Sequence, residues 1–172
     1  LTMYEPDGTK AFSVNGGVKI SGGCSRYNDL KSLNFYLRSS KYGDSEIDYP
    51  LFSNRSGTEY KRLKLRNSGQ DFQHTLFRDA FNHMILSDSV FNMETQSYRP
   101  AIVYLNDEYW GILNMREIYS DNYFKRLFDL EEEEIDLIQN PILLNEVEEG
   151  DDSDYRELWQ WFNTNSLTNA AN

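Results

Sequence analysis

Three stretches of the chain alternate apolar and polar residues with the period of a β-strand. Gly17-Val-Lys-Ile-Ser-Gly-Gly23 predicts a short strand closed by the paired glycines Gly22 and Gly23. Ser32-Leu-Asn-Phe-Tyr-Leu-Arg38 predicts a second, with Leu33, Phe35 and Leu37 on one face, and Tyr60-Lys-Arg-Leu-Lys-Leu-Arg66 a third, with Leu63 and Leu65 inward and basic residues flanking them. Pro100–Leu105 and Tyr109–Met115 read as two apolar strands of a hairpin joined at Asn106-Asp107-Glu108, residues that tolerate unusual backbone angles.

A different period marks the helices. Phe72, Leu76, Phe77, Ala80, Phe81, Met84 and Ile85 recur every three or four residues, so residues 72–87 are expected to be helical, with Asp71 as N-cap. Ser120 is expected to cap a helix carrying Tyr123, Phe124, Leu127 and Phe128, and Ser153 one bearing Leu158, Trp159 and Phe162. A short strand is expected near residues 135–138. Residues 1–12 and 39–59, rich in turn formers, read as loops, the second being the natural place for insertions. The order of elements implies an α+β fold, an antiparallel sheet with one early helix packed on it.

Composition refines this picture. The 172 residues suffice for one ordinary domain, and 15% aromatic content argues for an aromatic core. No window reaches the length a membrane helix needs. The single Cys24 excludes an internal disulfide and reads as buried or structurally inert. Charge is unevenly spread: residues 1–86 hold 12 Lys/Arg against 9 Asp/Glu, whereas 87–172 hold 5 against 19. The acidic half disfavours nucleic acid and anionic membranes as partners, so a phosphate-bearing ligand would look to the first half.

Most candidate chemistries fail on spacing. His74 and His83, nine apart at about 100° per residue, fall on opposite faces of the expected helix and cannot share a metal. No nucleophile elbow is present, and the acids from Glu146 to Asp154 lack the register of a calcium loop and read as a solvated linker. The glycine pairs around the first strand, followed by Lys31, offer backbone amides and a cation to a phosphate, although glycines at strand ends are usually turns.

Several of these segments together resemble the CotH kinase-like, or spore coat protein H, family. They are Val18–Gly22, Ser25-Arg26, Lys31–Leu37, Leu63–Asn67, Asp71 with Leu76–Asp79, and above all Val103–Glu117 (VYLNDEYWGILNMRE). The match spans about residues 17–140, leaving 141–172 as an acidic linker and terminal helix of the same partial domain. The resemblance implies an atypical protein-kinase-like small lobe and the start of a helical region, in a bacterial-type secreted or surface protein that transfers phosphate from ATP, with magnesium, to a protein. By analogy Lys31 holds the ATP phosphates, assisted by Arg26 and the amides of Gly22 and Gly23. Glu117 lies near the adenine, and Asp71, Arg78 and Asp79 place a helix beside the cleft. The expected helix contains no Glu, so the kinase Lys–Glu pair has no counterpart unless Asp79 substitutes. The family's magnesium ligands are expected beyond residue 172, and no catalytic residue is assigned. The alternative is an inactive kinase-like binding or scaffold module.

Overall fold

The computed structural model describes residues 1–87, 90, 93–139 and 146–166. It divides into two compact units, Leu1–Ile118 and a second beginning at Tyr119. The first unit opens with a hairpin, β1 (Thr2–Tyr4) and β2 (Lys10–Ser13), where only a loop is expected from the sequence. Then come β3 (Gly17–Ser21), a 3₁₀ turn at Cys24–Tyr27, β4 (Ser32–Tyr36), α1 (Ser39–Tyr42), β5 (Ile47–Asp48), β6 (Glu59–Tyr60) and β7 (Arg62–Arg66). A second 3₁₀ turn at Gly69–Asp71 leads to α2 (Arg78–Ser87), and the hairpin β8 (Tyr98–Leu105) and β9 (Glu108–Glu117) completes the unit.

Five of these strands form one antiparallel sheet in the order β3-β4-β7-β9-β8. The first three strands in chain order lie side by side, and after α2 the last two return with β9 against β7. This α+β arrangement is that of a kinase-like small lobe. Alternation sends Leu33, Phe35, Leu63, Leu65, Leu113 and Met115 to one face, where they form the core.

The segment 39–59 covers that face. Ile47, Leu51 and Phe52 are 0, 1 and 2% exposed, as deeply placed as any strand residue. Each such burial stabilises by about 1.5–3 kcal/mol, so the segment is part of the core and a poor site for insertions. Their irregular spacing carries no period, which is why the sequence reads as a connection. Cys24, read from the sequence as buried or structurally inert, is exposed, because the 3₁₀ turn holding it buries no side chain.

The helix expected over 72–87 begins only at Arg78. Leu76 has φ +57°, which no right-handed helix accommodates. It is held there by its carbonyl, which accepts hydrogen bonds from Ser68 Oγ and Asn114 Nδ2, both at 2.8 Å. His74 therefore lies outside the helix. The β8–β9 turn has φ of 51° and 67° at Asn106 and Asp107, the two positive values of a tight hairpin turn with the twist of the strands.

The second unit contains α3 (Asp121–Phe128), a 3₁₀ turn at Glu132–Glu134, the hairpin β10 (Leu137–Gln139) and β11 (Glu146–Glu149), and α4 (Ser153–Thr164). Ser120 caps α3 as expected, its Oγ accepting from the Tyr123 amide at 3.3 Å. Part of the acidic stretch read as linker is thus a paired strand, β11. The cap of α4 is Asp152 rather than Ser153, whose amide donates to Asp151. The linker residues 141–145 and the tail 167–172 fall outside the described residues. No helix is long and apolar enough to cross a membrane.

Candidate functional site

The opposite face of the sheet is polar. Every second residue of β7 points there, which makes Arg62, Lys64 and Arg66 a row of cations. In register with them stand Asn34 on β4 opposite Lys64, Arg116 on β9 opposite Lys64, Asn114 opposite Arg66, and Tyr98 on β8 opposite Arg116. Like charges directly opposite in a ladder destabilise it unless something balances them.

Asp79, near the start of α2, supplies the balance. One carboxylate oxygen, Oδ2, accepts from Arg66 Nε at 2.9 Å and from Arg116 Nη2 at 2.7 Å. The Arg116 side chain is fully buried. It also donates to the Gln96 carbonyl at 3.3 Å and lies against the Tyr98 ring, 5.7 Å from its centre. Lys64, Arg66 and Arg116 thus cluster on this face, with Asp79 bonded to the two arginines. Burial pushes the Lys64 ammonium below the usual lysine range, and the charges of Arg66 and Arg116 add to it against the opposing pull of Asp79. Among the described residues no hydrogen bond or ion pair holds that ammonium.

Helix α2 is seated by two further contacts. Buried Asp71 accepts from Thr75 Oγ1 at 2.5 Å and from the amides of Thr75, Phe77 and Arg78 at 3.3, 3.1 and 3.1 Å. These bonds, Thr75 Oγ1 foremost, hold its pKa well below the carboxylate range. Asp71 is therefore an anchor for the start of the helix, six or seven residues before it, rather than its N-cap. At the other side His83 Nδ1 accepts from the Gln96 amide at 3.0 Å, and burial together with the Arg116 charge lowers its pKa.

The sequence-derived candidates separate into three places. Gly22, Gly23, Arg26 and Lys31 form the turn between β3 and β4. There the Lys31 ammonium donates to the carbonyls of Arg26 and Asn28 at 2.8 and 2.7 Å, tying down the 3₁₀ turn. Gly22 has φ +113°, and a Cβ on it would strike Ser25 Oγ, so the turn requires glycine there. Arg26 and Gly23 are exposed. Asp79 sits on the polar face, paired with arginines rather than with a lysine. Glu117 ends β9 opposite Leu63, at the other end of the β4–β7 ladder from Ser32 and Lys31. Glu117 is buried, and its carboxylate accepts from Arg55 Nε at 3.1 Å. Arg55 comes from the long segment and also binds Ser97 Oγ, Glu94 and the Thr95 carbonyl at 2.9, 2.5 and 2.5 Å.

The family model described as CotH kinase protein matches residues 18–171. This chain belongs to that family. The CotH match extends past residue 140, the end of the resemblance read from the sequence, and takes in nearly all of the second unit. No curated protein and no solved structure matches the chain. Sequence reasoning missed Lys64, Arg66 and Arg116 as site residues. The signal for two of them was present, since Arg62, Lys64 and Arg66 recur with period two, but they read only as basic residues flanking the inward leucines of a strand. Arg116 lies inside the family signature, yet its burial depends on α2, which no local pattern reveals.

Proposed function

We propose that this chain forms the nucleotide-facing portion of an atypical protein kinase that transfers phosphate from ATP to a protein substrate. The observation that carries the reading is the polar sheet face, where Arg66 and Arg116 are both bonded to Asp79 and Lys64 lies in register beside them, within a CotH kinase fold. Protein kinases pair a cation of the third strand with an acid of the following helix beside the phosphates. Arg66 of β7 and Asp79 of α2 make that pair here, so aspartate substitutes for the usual glutamate and arginine for the usual lysine. Lys64, two residues earlier on the same face, is the cation left to meet a phosphate.

In this reading the nucleotide lies along the face. The turn holding Gly22, Gly23, Arg26 and Lys31 borders the phosphates, whereas Glu117, in register with Leu63 and bonded to Arg55, belongs to the apolar face and is not assigned to the nucleotide. The excess positive charge fits ATP phosphates. Magnesium would neutralise charge between those phosphates, but Asp79 is bonded to two arginines and does not fit as its ligand. Lysine and arginine at this face bind and orient the phosphates, and partial burial strengthens their attraction. An extracytoplasmic location, secreted or at the cell surface, belongs to the same proposal and rests on the family alone.

Calorimetric titration of Mg-ATP into the protein tests the reading. Saturable heat is expected, with Lys64→Ala weakening affinity at least about ten-fold, roughly 1.4 kcal/mol. A parallel Lys31→Ala variant separates the two lysines: a larger loss there would move the phosphate site to the β3–β4 turn. No heat from the folded protein would favour the second reading, an inactive kinase-like binding or scaffold module of a surface or secreted assembly. That alternative draws on the engagement of Asp79 by two arginines.

A further inference from the structure

Lys64 stands between Asn34 and Arg116 in the sheet register, with Arg66 next to it on the same face. Opposite residues in such a ladder have Cβ atoms about 5 Å apart. Lys64 therefore lies in one row with Arg66 and Arg116, whose charges both act on its ammonium and both of which are bonded to Asp79. The buried Oδ1 of Asn34, on the same face, accepts no hydrogen bond either. The lysine is thus crowded by like charge, half-buried, and held by no acceptor among the described residues.

Both influences favour the neutral amine, burial first and then the charge of Arg66. A desolvated lysine beside another cation is the arrangement that converts an ammonium into a nucleophile. The partly exposed Arg66 offers, in the same place, a fork of donors suited to a phosphate.

We propose that Lys64 is a nucleophilic lysine that condenses with phosphorylated aldehydes, the phosphate pairing with Arg66 in the field of Arg116. The amine first gives its extra proton to water. Its lone pair then attacks the aldehyde carbon, forming a C–N bond, and the carbinolamine loses water to leave a C=N bond in place of C=O. No oxidant or reductant is consumed. The proposal shares its cations with the nucleotide reading but does not depend on it.

Pyridoxal 5′-phosphate is a suitable probe. The intact chain is incubated with it, the imine is reduced with borohydride, and modified peptides are quantified by mass spectrometry. Lys64 should label at least several-fold faster than the exposed Lys10, Lys19, Lys41 and Lys61, because burial and the neighbouring guanidinium charges favour its neutral amine. Pyridoxal lacking the phosphate should label it several-fold more slowly. A Lys64→Arg variant, which keeps the charge, should lose the fast adduct. Labelling of Lys64 no faster than of the surface lysines overturns the proposal, as does a fast adduct that survives in Lys64→Arg. Fast labelling of Lys64 that Mg-ATP fails to slow supports the proposal while counting against the nucleotide reading.

Discussion

Asp79 decides the character of the polar face at the level of single residues. Its carboxylate balances Arg66 and Arg116 across two strands, and the Arg116 guanidinium is fully out of water. Breaking a wholly buried pair by removing one partner costs about 3–5 kcal/mol. Asp79 itself is 30% exposed, so solvent screens part of that loss. Asp79→Asn is expected to destabilise the protein by about 2–3 kcal/mol in urea denaturation. A loss below about 0.5 kcal/mol would mean that other groups balance Arg116 without it. Lys64 is the counterpart case, a charge that the fold partly desolvates without a hydrogen-bond or ion-pair partner among the described residues.

At the scale of elements, α2 shows how a tertiary contact can override periodicity. Residues 72–77 have the apolar spacing of a helix, yet Asp71 collects the amides of residues 75, 77 and 78 and Leu76 turns left-handed. Local hydrogen bonds to an Asp side chain compete with the helix for exactly these donors. The Asp71 pKa is depressed below its ordinary value of 3.8 in the folded state. Its stabilising contribution is therefore fully present above about pH 4 and is lost as pH falls further, toward the folded pKa. Asp71→Asn should be less stable than the parent at neutral pH, and its stability should fall less steeply between about pH 4 and 2. A parallel acid limb in the two proteins, followed by circular dichroism, would show that Asp71 is not the group titrating. The β8–β9 hairpin is the opposite case, since two turn residues of suitable type and the flanking strands agree with each other.

Over the whole molecule, the two units differ in charge as well as in structure. Residues 1–118 carry 14 Lys/Arg and 14 Asp/Glu, so the net charge of −11 resides entirely in residues 119–172. The first unit is neutral overall but concentrates cations on one sheet face, which is where an anionic nucleotide is proposed to bind. If it does, mass action links binding to stability: Mg-ATP at about 100 times its dissociation constant adds roughly 2.7 kcal/mol. For a chain of this size that corresponds to a rise in melting temperature of roughly 5–10 °C. No rise in the parent, or an equal rise in Lys64→Ala, would contradict the proposed site.

The strands β3, β4, β7, β8 and β9, the cap of α3 and the family signature were legible because each is local: alternation, a capping serine and a contiguous motif are written in neighbouring residues. The core role of Ile47, Leu51 and Phe52 was not, because those residues have no period and become interior only when their segment folds across the sheet. The candidate site was legible in part. Asp79 was singled out by resemblance and lies on the polar face, whereas Lys64 and Arg116 became candidates only when β7 and β9 paired and α2 brought Asp79 over them. By itself the sequence determined which residues alternate, which face of each strand is apolar and to which family the chain belongs. Only the tertiary structure decided which cations share a carboxylate and which one is left without it, since that depends on register between strands far apart in the chain and on where a helix begins.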